Sequence, residues 1–206
     1  MQRFDAASLS DGGLEQILSF LRAGGVIAFP TDTAYGLGAD PFNEGAVRRV
    51  FEIKGRAETK PILLLVNSIG MANTVATLSD RALGLAERFW PGPLTMIVPA
   101  HKTVPSIVTA GTETVGIRWP EAPFAQRLMD AFGRPITATS ANRAGMPSTV
   151  TAAEVRDQLG DSIDILIDGG TLPSRGGSTL LDLTEVPARL LRAGPIGESD
   201  LSDVLK

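Results

Sequence analysis

Short apolar runs alternate with segments of helical periodicity along almost the whole chain, and that alternation restricts the fold to helices layered on a sheet. Val26-Ile27-Ala28-Phe29, Ile62 to Val66, Leu94 to Val98, Val115 to Trp119, Ile136 to Thr139, Ile163 to Ile167, Leu180 to Leu183 and Arg189 to Leu191 read as strands. Between them, Leu14, Ile17, Leu18 and Leu21 recur at helical spacing and stop at Gly24-Gly25. Val47, Val50 and Phe51 share one face of a helix over roughly Asn43 to Ile53, and helices follow around Ser79 to Trp90 and from about Pro123 to Phe132. Thr151-x-x-Glu154 is a capping box that opens another through Leu159. Strands that succeed one another directly, in the middle and at the end, call for antiparallel pairs. The expected class is therefore α/β (α+β), a layered sandwich whose mixed parallel and antiparallel sheet is flanked by helices.

At 206 residues, 43% of them hydrophobic, the chain can bury one sizeable core, and a single domain over residues 1–206 is expected. Zero cysteines exclude a disulfide framework, thiolate nucleophiles and thiolate metal sites. The N-terminal residues lack a basic stretch followed by an apolar core, and no apolar run approaches the roughly 20 residues of a membrane helix, so a soluble, cytoplasmic protein is expected. The one histidine, His101, follows a strand in a polar link and reads as an exposed loop imidazole, which leaves no triad and no histidine metal site. No Gly-x-x-x-x-Gly-Lys-Ser/Thr occurs, and Gly36-x-Gly38 runs into Asp40-Pro41 instead of opening a helix, so a bound phosphate must be held mainly by side chains.

Against a net charge of −4, Lys54, Arg56 and Lys60 put three cations into seven residues at the end of a helix. A helix end often carries such charges only to complement its dipole. Two polar turns accompany it, however: Pro30-Thr31-Asp32-Thr33-Ala34-Tyr35-Gly36-Leu37-Gly38 and Thr139-Ser140-Ala141-Asn142. Both leave the carboxyl end of an apolar strand, as does Gly169-Gly170, and in α/β sheets that is where ligands bind. Singly, each is an ordinary strand-ending turn. Together with the cations they describe a cleft for an anionic small molecule. Asp32, the nearest carboxylate, reads as a residue capping the backbone amides of its own turn.

Pro30-Thr31-Asp32-Thr33-Ala34-Tyr35-Gly36-Leu37, Lys54-Gly55-Arg56 with Lys60-Pro61, Trp90-Pro91-Gly92-Pro93-Leu94-Thr95, Val115-Gly116-Ile117-Arg118, Ser140-Ala141-Asn142 and Leu191-Arg192-Ala193-Gly194-Pro195 occur in this order over nearly the whole chain. In these motifs the chain resembles the YrdC-like family of threonylcarbamoyl-AMP synthases. The resemblance implies a twisted mixed sheet with a basic concave face. It also implies conversion of L-threonine, bicarbonate and ATP to threonylcarbamoyl-AMP and pyrophosphate, with Mg²⁺ accompanying ATP. The labile product would pass to a downstream threonylcarbamoyl transferase that modifies tRNA. On matching positions it implies Lys54, Arg56 and Lys60 as the catalytic cations. Thr33, Arg118, Ser178 and the backbone of Ala138 would hold threonine, and Arg56, Lys60, Thr114, Ser140, Ser148 and Arg192 would hold ATP. No protein-held metal site is implied.

Three departures stand out. Leu65 occupies a position where longer members carry a histidine, Ala57 replaces a proline common after the Lys-x-Arg element, and the chain ends at Lys206 without the further domain of longer members, as a minimal single-domain form would. Two other readings are compatible with parts of the pattern: a carbamoyl-handling domain as in hydrogenase maturation, and a non-catalytic RNA-binding module. A pI near 5.1, with 19 Lys plus Arg against 23 Asp plus Glu, gives the latter only weak, salt-dependent affinity for tRNA or double-stranded RNA. Whether Leu172 to Gly177 closes over a substrate is left open by the sequence.

Overall fold

A computed structural model describes residues 1–173 and 176–205. In chain order the elements are β1 (Gln2–Asp5), α1 (Asp11–Arg22), β2 (Ile27–Pro30), β3 (Tyr35–Gly38), α2 (Glu44–Lys54), β4 (Leu63–Leu65), α3 (Ile69–Ala72), α4 (Asp80–Phe89), β5 (Leu94–Pro99), α5 (Ser106–Thr109), β6 (Thr114–Arg118), α6 (Pro123–Phe132), β7 (Ile136–Ser140), α7 (Ala152–Leu159), β8 (Ile165–Asp168), β9 (Thr179–Asp182) and β10 (Arg189–Arg192). The strands form one mixed sheet in the order β1-β8-β2-β3-β7-β4-β6-β5-β9-β10. Four parallel pairs (β1–β8, β2–β8, β4–β6, β5–β9) are mixed with five antiparallel ones (β2–β3, β3–β7, β4–β7, β5–β6, β9–β10), and the direct successions β2–β3 and β9–β10 are antiparallel as expected.

Two strands depart from the sequence reading, which also lacks the short helices α3 and α5. The tail of the Pro30–Gly38 turn is a strand: only Thr31 to Ala34 reverse the chain, and β3 returns antiparallel to β2 with Ile27 opposite Gly38 and Pro30 opposite Tyr35. Gly38 serves packing rather than a turn, since a Cβ on it would lie 2.7 Å from the Phe29 ring and 2.8 Å from Ile136. The polar segment Gln2–Asp5 is likewise a strand, β1, at the sheet edge beside β8, where an exposed strand carries no apolar alternation to betray it.

Strand alternation divides the sheet into two faces. Leu64, Met96, Ile117 and Leu181 point to one face and enter the larger core with α2, α4 and α7. On the other, Ile27, Phe29, Leu65 and Ile136 pack under α1 and α6. Farther along that second face, Leu63, Ile97, Gly116, Ala138 and Leu180 floor an open cavity, with Leu63 and Ala138 also touching the α1 and α6 cluster. The site is thus a stretch of that sheet face bordering the layer of α1 and α6.

The far edge of this floor is held by a close backbone approach. A Cβ on Gly194 would meet the Thr179 amide and lie 2.7 Å from both the Ser178 carbonyl carbon and Thr179 Oγ1. Thermal unfolding of Gly194→Ala should show a loss of about 1–3 kcal/mol, since β9 has to move to admit the methyl.

Candidate functional site

The basic cluster is aimed by the way α2 ends. Asn43 caps its N-terminus through Ala46 N–H, and Gly55 terminates it in the left-handed conformation (φ 61°). Gly55 N–H bonds Glu52 O and Arg56 N–H bonds Phe51 O, each at 3.0 Å. This closure turns the chain out of the helix, so Lys54 stays behind in the wall while Arg56 and Lys60 enter the loop beside the cavity. Arg56 Nη2 donates to Pro61 O at 2.8 Å and ties that loop shut.

Lys54 is 5% exposed. Its ammonium donates to Ser140 O, to Asn142 O at 2.9 Å and to Asn142 Oδ1 at 3.2 Å. With Ser140 Oγ 3.5 Å away as a further acceptor, all three of its protons can be used, which makes it an anchor for the turn that leaves β7. Burial, and secondarily Arg56, pull its pKa down to about 8. Asn142 is spent in the same turn, its amide donating to Arg143 O at 3.1 Å and to Met146 O.

The turn after β2 is built from hydroxyls. Thr31 Oγ1 donates to Ala34 O at 2.6 Å and accepts from the Thr33 and Ala34 amides at 3.2 and 3.3 Å, with Thr33 Oγ1 3.2 Å away. Thr31, absent from the expected contacts, lines the cavity together with Thr33. Asp32 does not cap this turn. Its Oδ1 instead accepts from Arg118 Nη1 at 3.0 Å, with the two side chains 4% and 5% exposed. The amides of the turn are already served by Thr31, which frees Asp32 for a partner 86 residues away. Arg118 feels three influences: burial lowers its pKa, Asp32 raises it, and Arg192 lowers it again. Asp32 Oδ2 and Arg118 Nε are buried without a partner among the described residues.

At the far side, Arg192 donates through Nε to Ser178 O at 2.9 Å and through Nη2 to Ser178 Oγ at 3.0 Å, and Thr95 Oγ1 lies 2.7 Å from the same oxygen. Thr114 shares a 3.1 Å hydroxyl contact with Thr112. The cavity so enclosed measures about 680 Å³, within the range of small-molecule sites. Lys54, Arg56, Lys60, Thr33, Arg118, Ala138, Ser178, Thr114, Ser140, Ser148 and Arg192 all line it. Five of these are cations, and no Asp or Glu is among the described lining residues. In a chain of net charge −4 that is a concentrated positive field.

Other sequence readings fall elsewhere. Gly169 and Gly170 are not part of the wall: Tyr35, wholly buried on β3, accepts from Gly169 N–H at 2.9 Å and donates to Gly170 O at 2.8 Å, which fixes them at the end of β8. Burial pushes the Tyr35 phenol up to about 12, so it stays a donor. His101 lies half-buried after β5, away from the cavity. Leu65 packs under α6, beside Arg118 in register but outside the lining. Of the Leu172–Gly177 segment, Ser174 and Arg175 lie outside the described residues, while Gly176 and Gly177 reach the cavity.

Residues 19–194 match the Sua5/YciO/YrdC family model, described as telomere recombination. The chain belongs to the Sua5/YciO/YrdC family. Within it, a Pyrococcus abyssi protein named threonylcarbamoyl-AMP synthase is 41% identical over 187 residues, covering 90% of this chain and 55% of its own length. A Vibrio cholerae protein of the same name is 38% identical over 184 residues, covering 88% of this chain and 97% of its own. The crystal structure of P. abyssi Sua5 complexed with L-threonine superposes with a TM-score of 0.91 at 38% identity, covering 99% of this chain and 60% of that one. This Sua5/YciO/YrdC chain therefore spans just over half the length of the P. abyssi relative and nearly all of the V. cholerae one.

Proposed function

We propose that the chain is a threonylcarbamoyl-AMP synthase, a nucleotidyltransferase that makes threonylcarbamoyl-AMP and pyrophosphate from L-threonine, bicarbonate and ATP. One observation carries this reading. The residues that the family resemblance divides between two substrates meet in a single cavity of donors and cations, where an amino-acid carboxylate and a triphosphate can lie side by side. The names of the relatives and the threonine complex of P. abyssi Sua5 support it.

The reaction needs positioning and charge neutralisation more than a protein nucleophile. The threonine amine attacks carbon dioxide, from bicarbonate, and loses a proton to give a carbamate. A carbamate oxygen then bonds the α-phosphorus in line as the bond from that phosphorus to the bridging oxygen of pyrophosphate breaks. In the proposed arrangement Arg118 pairs with the threonine carboxylate, and Thr33, Ser178 and the Ala138 backbone orient the rest of the amino acid. Arg56 and Lys60 take the charge that develops on the leaving pyrophosphate. Thr114, Ser140, Ser148 and Arg192 place the nucleotide. Lys54 acts through the Ser140–Asn142 turn that it ties down.

The described residues hold no group of three or more His, Asp or Glu able to bind a metal ion. With no carboxylate in the lining either, the cavity does not fit a resident Mg²⁺. Magnesium would enter as part of MgATP, and no step here depends on it. We further propose one functional unit over residues 1–206, since a single sheet floors the cavity. Its expected setting is the cytoplasm, with the labile product passed to a threonylcarbamoyl transferase for tRNA modification. No helix among the described residues is long and apolar enough to cross a membrane.

Pyrophosphate release, followed with each of ATP, bicarbonate and L-threonine omitted in turn, tests the reading. Release that needs all three, with threonylcarbamoyl-AMP found by mass, is the expected result. Folded protein that releases none with MgATP present sinks it, and tight tRNA binding without turnover would put an RNA-binding module in its place. Lys54 supplies a second check. ATP affinity should fall as pH rises through about 8, where its ammonium loses the proton that serves the turn. In Lys54→Met that dependence should vanish and ATP should bind weakly at every pH.

A further inference from the structure

Thr95 is fully buried on β5 and is not itself part of the cavity wall. Its hydroxyl has one side-chain partner among the described residues, Ser178 Oγ at 2.7 Å. That oxygen also meets Arg192 Nη2 at 3.0 Å. A guanidinium can only donate, so Ser178 Oγ accepts from Arg192. A buried hydroxyl hydrogen without an acceptor is costly, and Ser178 Oγ is the acceptor that Thr95 has, so Ser178 accepts there too. Both lone pairs of Ser178 are then filled, and its own hydrogen has no protein acceptor among the described residues. Ser178 is 4% exposed and lines the cavity, so that hydrogen faces the ligand.

We infer that Thr95 is a positioning residue which, with Arg192, makes the Ser178 hydroxyl a donor only, aimed at a ligand carboxylate. A carboxylate is the group this corner selects. It accepts without donating, and the charged neighbours at hand, Arg118 and Arg192, are donors as well. The inference rests on the reading that an amino acid occupies this side of the cavity, and it adds a reason for recognising its carboxylate end. Thr95 closes the Trp90-to-Thr95 motif that carries part of the family resemblance, but its alternation with Leu94 and Met96 is that of any strand residue and assigns it no role.

Titration calorimetry with L-threonine, with L-threoninol (in which an alcohol replaces the carboxylate) and with ATP tests it on wild type, Thr95→Val and Thr95→Ser. Thr95→Val should weaken L-threonine about 3- to 10-fold and leave threoninol and ATP within about 2-fold, while Thr95→Ser keeps wild-type affinity, as expected for one hydrogen bond lost or kept. Equal weakening of both amino ligands, or a Thr95→Ser protein that behaves like Thr95→Val, would show a packing role and overturn the inference. Wild type that binds L-threonine with no change in Thr95→Val overturns it alone. Wild type that binds no L-threonine overturns the functional reading beneath it. Should Thr95→Val not fold, Thr95→Cys, a weaker donor of similar size, takes its place with the same expected ranking of ligands.

Discussion

Replacing Asp32 by alanine is expected to cost about 3–5 kcal/mol of folding stability, because it strands the guanidinium of Arg118 inside the protein. The pair is 4% and 5% exposed, so water cannot take over the lost contact, and Arg192 adds repulsion instead of relief. Urea denaturation measures the loss. The reciprocal Arg118→Ala should cost a similar amount by stranding the carboxylate, whereas the double variant Asp32→Ala/Arg118→Ala should recover part of it, since no charge is then left unpaired. A loss below about 1 kcal/mol in both single variants, the size of an exposed pair, would mean that water reaches the pair. In the proposed mechanism Arg118→Ala also removes threonine-dependent turnover, and the double variant regains stability without regaining activity.

Arg56→Ala should lower kcat/KM for pyrophosphate release by about 10²–10³, as removal of one charge-stabilising donor does at comparable sites. Arg56 is held in place from two directions, since Gly55 turns it out of the helix and Pro61 O fixes one end of its guanidinium. Its Nε is buried and unpartnered, and Pro61 O is the acceptor its guanidinium has among the described residues. Lys60 is exposed at the rim, where solvent screens its charge, and Lys60→Ala should cost roughly 10-fold by the same reasoning. Initial rates at saturating threonine with varied ATP measure both. Equal and small effects would remove the phosphate clamp from this loop.

Much of the fold is legible along the chain. The capping box at Thr151 and Glu154, the α6 span from Pro123 to Phe132 and the end of α2 follow from local rules, and all three form as those rules dictate. Of the candidate site residues, Thr33, Lys54, Arg56, Lys60, Arg118, Ser140 and Arg192 stand in the six motifs that occur in family order, while Thr114, Ala138, Ser148 and Ser178 lie outside them. Strand β3 is not legible, because Tyr35-Gly36-Leu37-Gly38 contains two glycines that look like turn residues until the Phe29 ring and Ile136 are packed against Gly38. Asp32 misleads for a related reason. Its turn offers amides to cap, and only the fold shows that Thr31 has taken them and that Arg118 stands opposite.

What the sequence determined by itself is local: which segments can be helix or strand, where helices stop, and which side chains carry charge or hydroxyls. These depend on neighbours a few residues apart, and such interactions are readable along the chain. What only the tertiary structure decided is which of those groups are spent on the protein and which are left for a ligand. Lys54 reads as a cation for an anionic ligand and is consumed by two backbone carbonyls and an amide oxygen, while Ser178, which the resemblance gives only as a threonine contact, becomes a committed donor. Both outcomes turn on partners 83 to 88 residues away for Lys54 and Thr95, a separation at which hydrogen-bond accounting closes only once the sheet has brought the strands together.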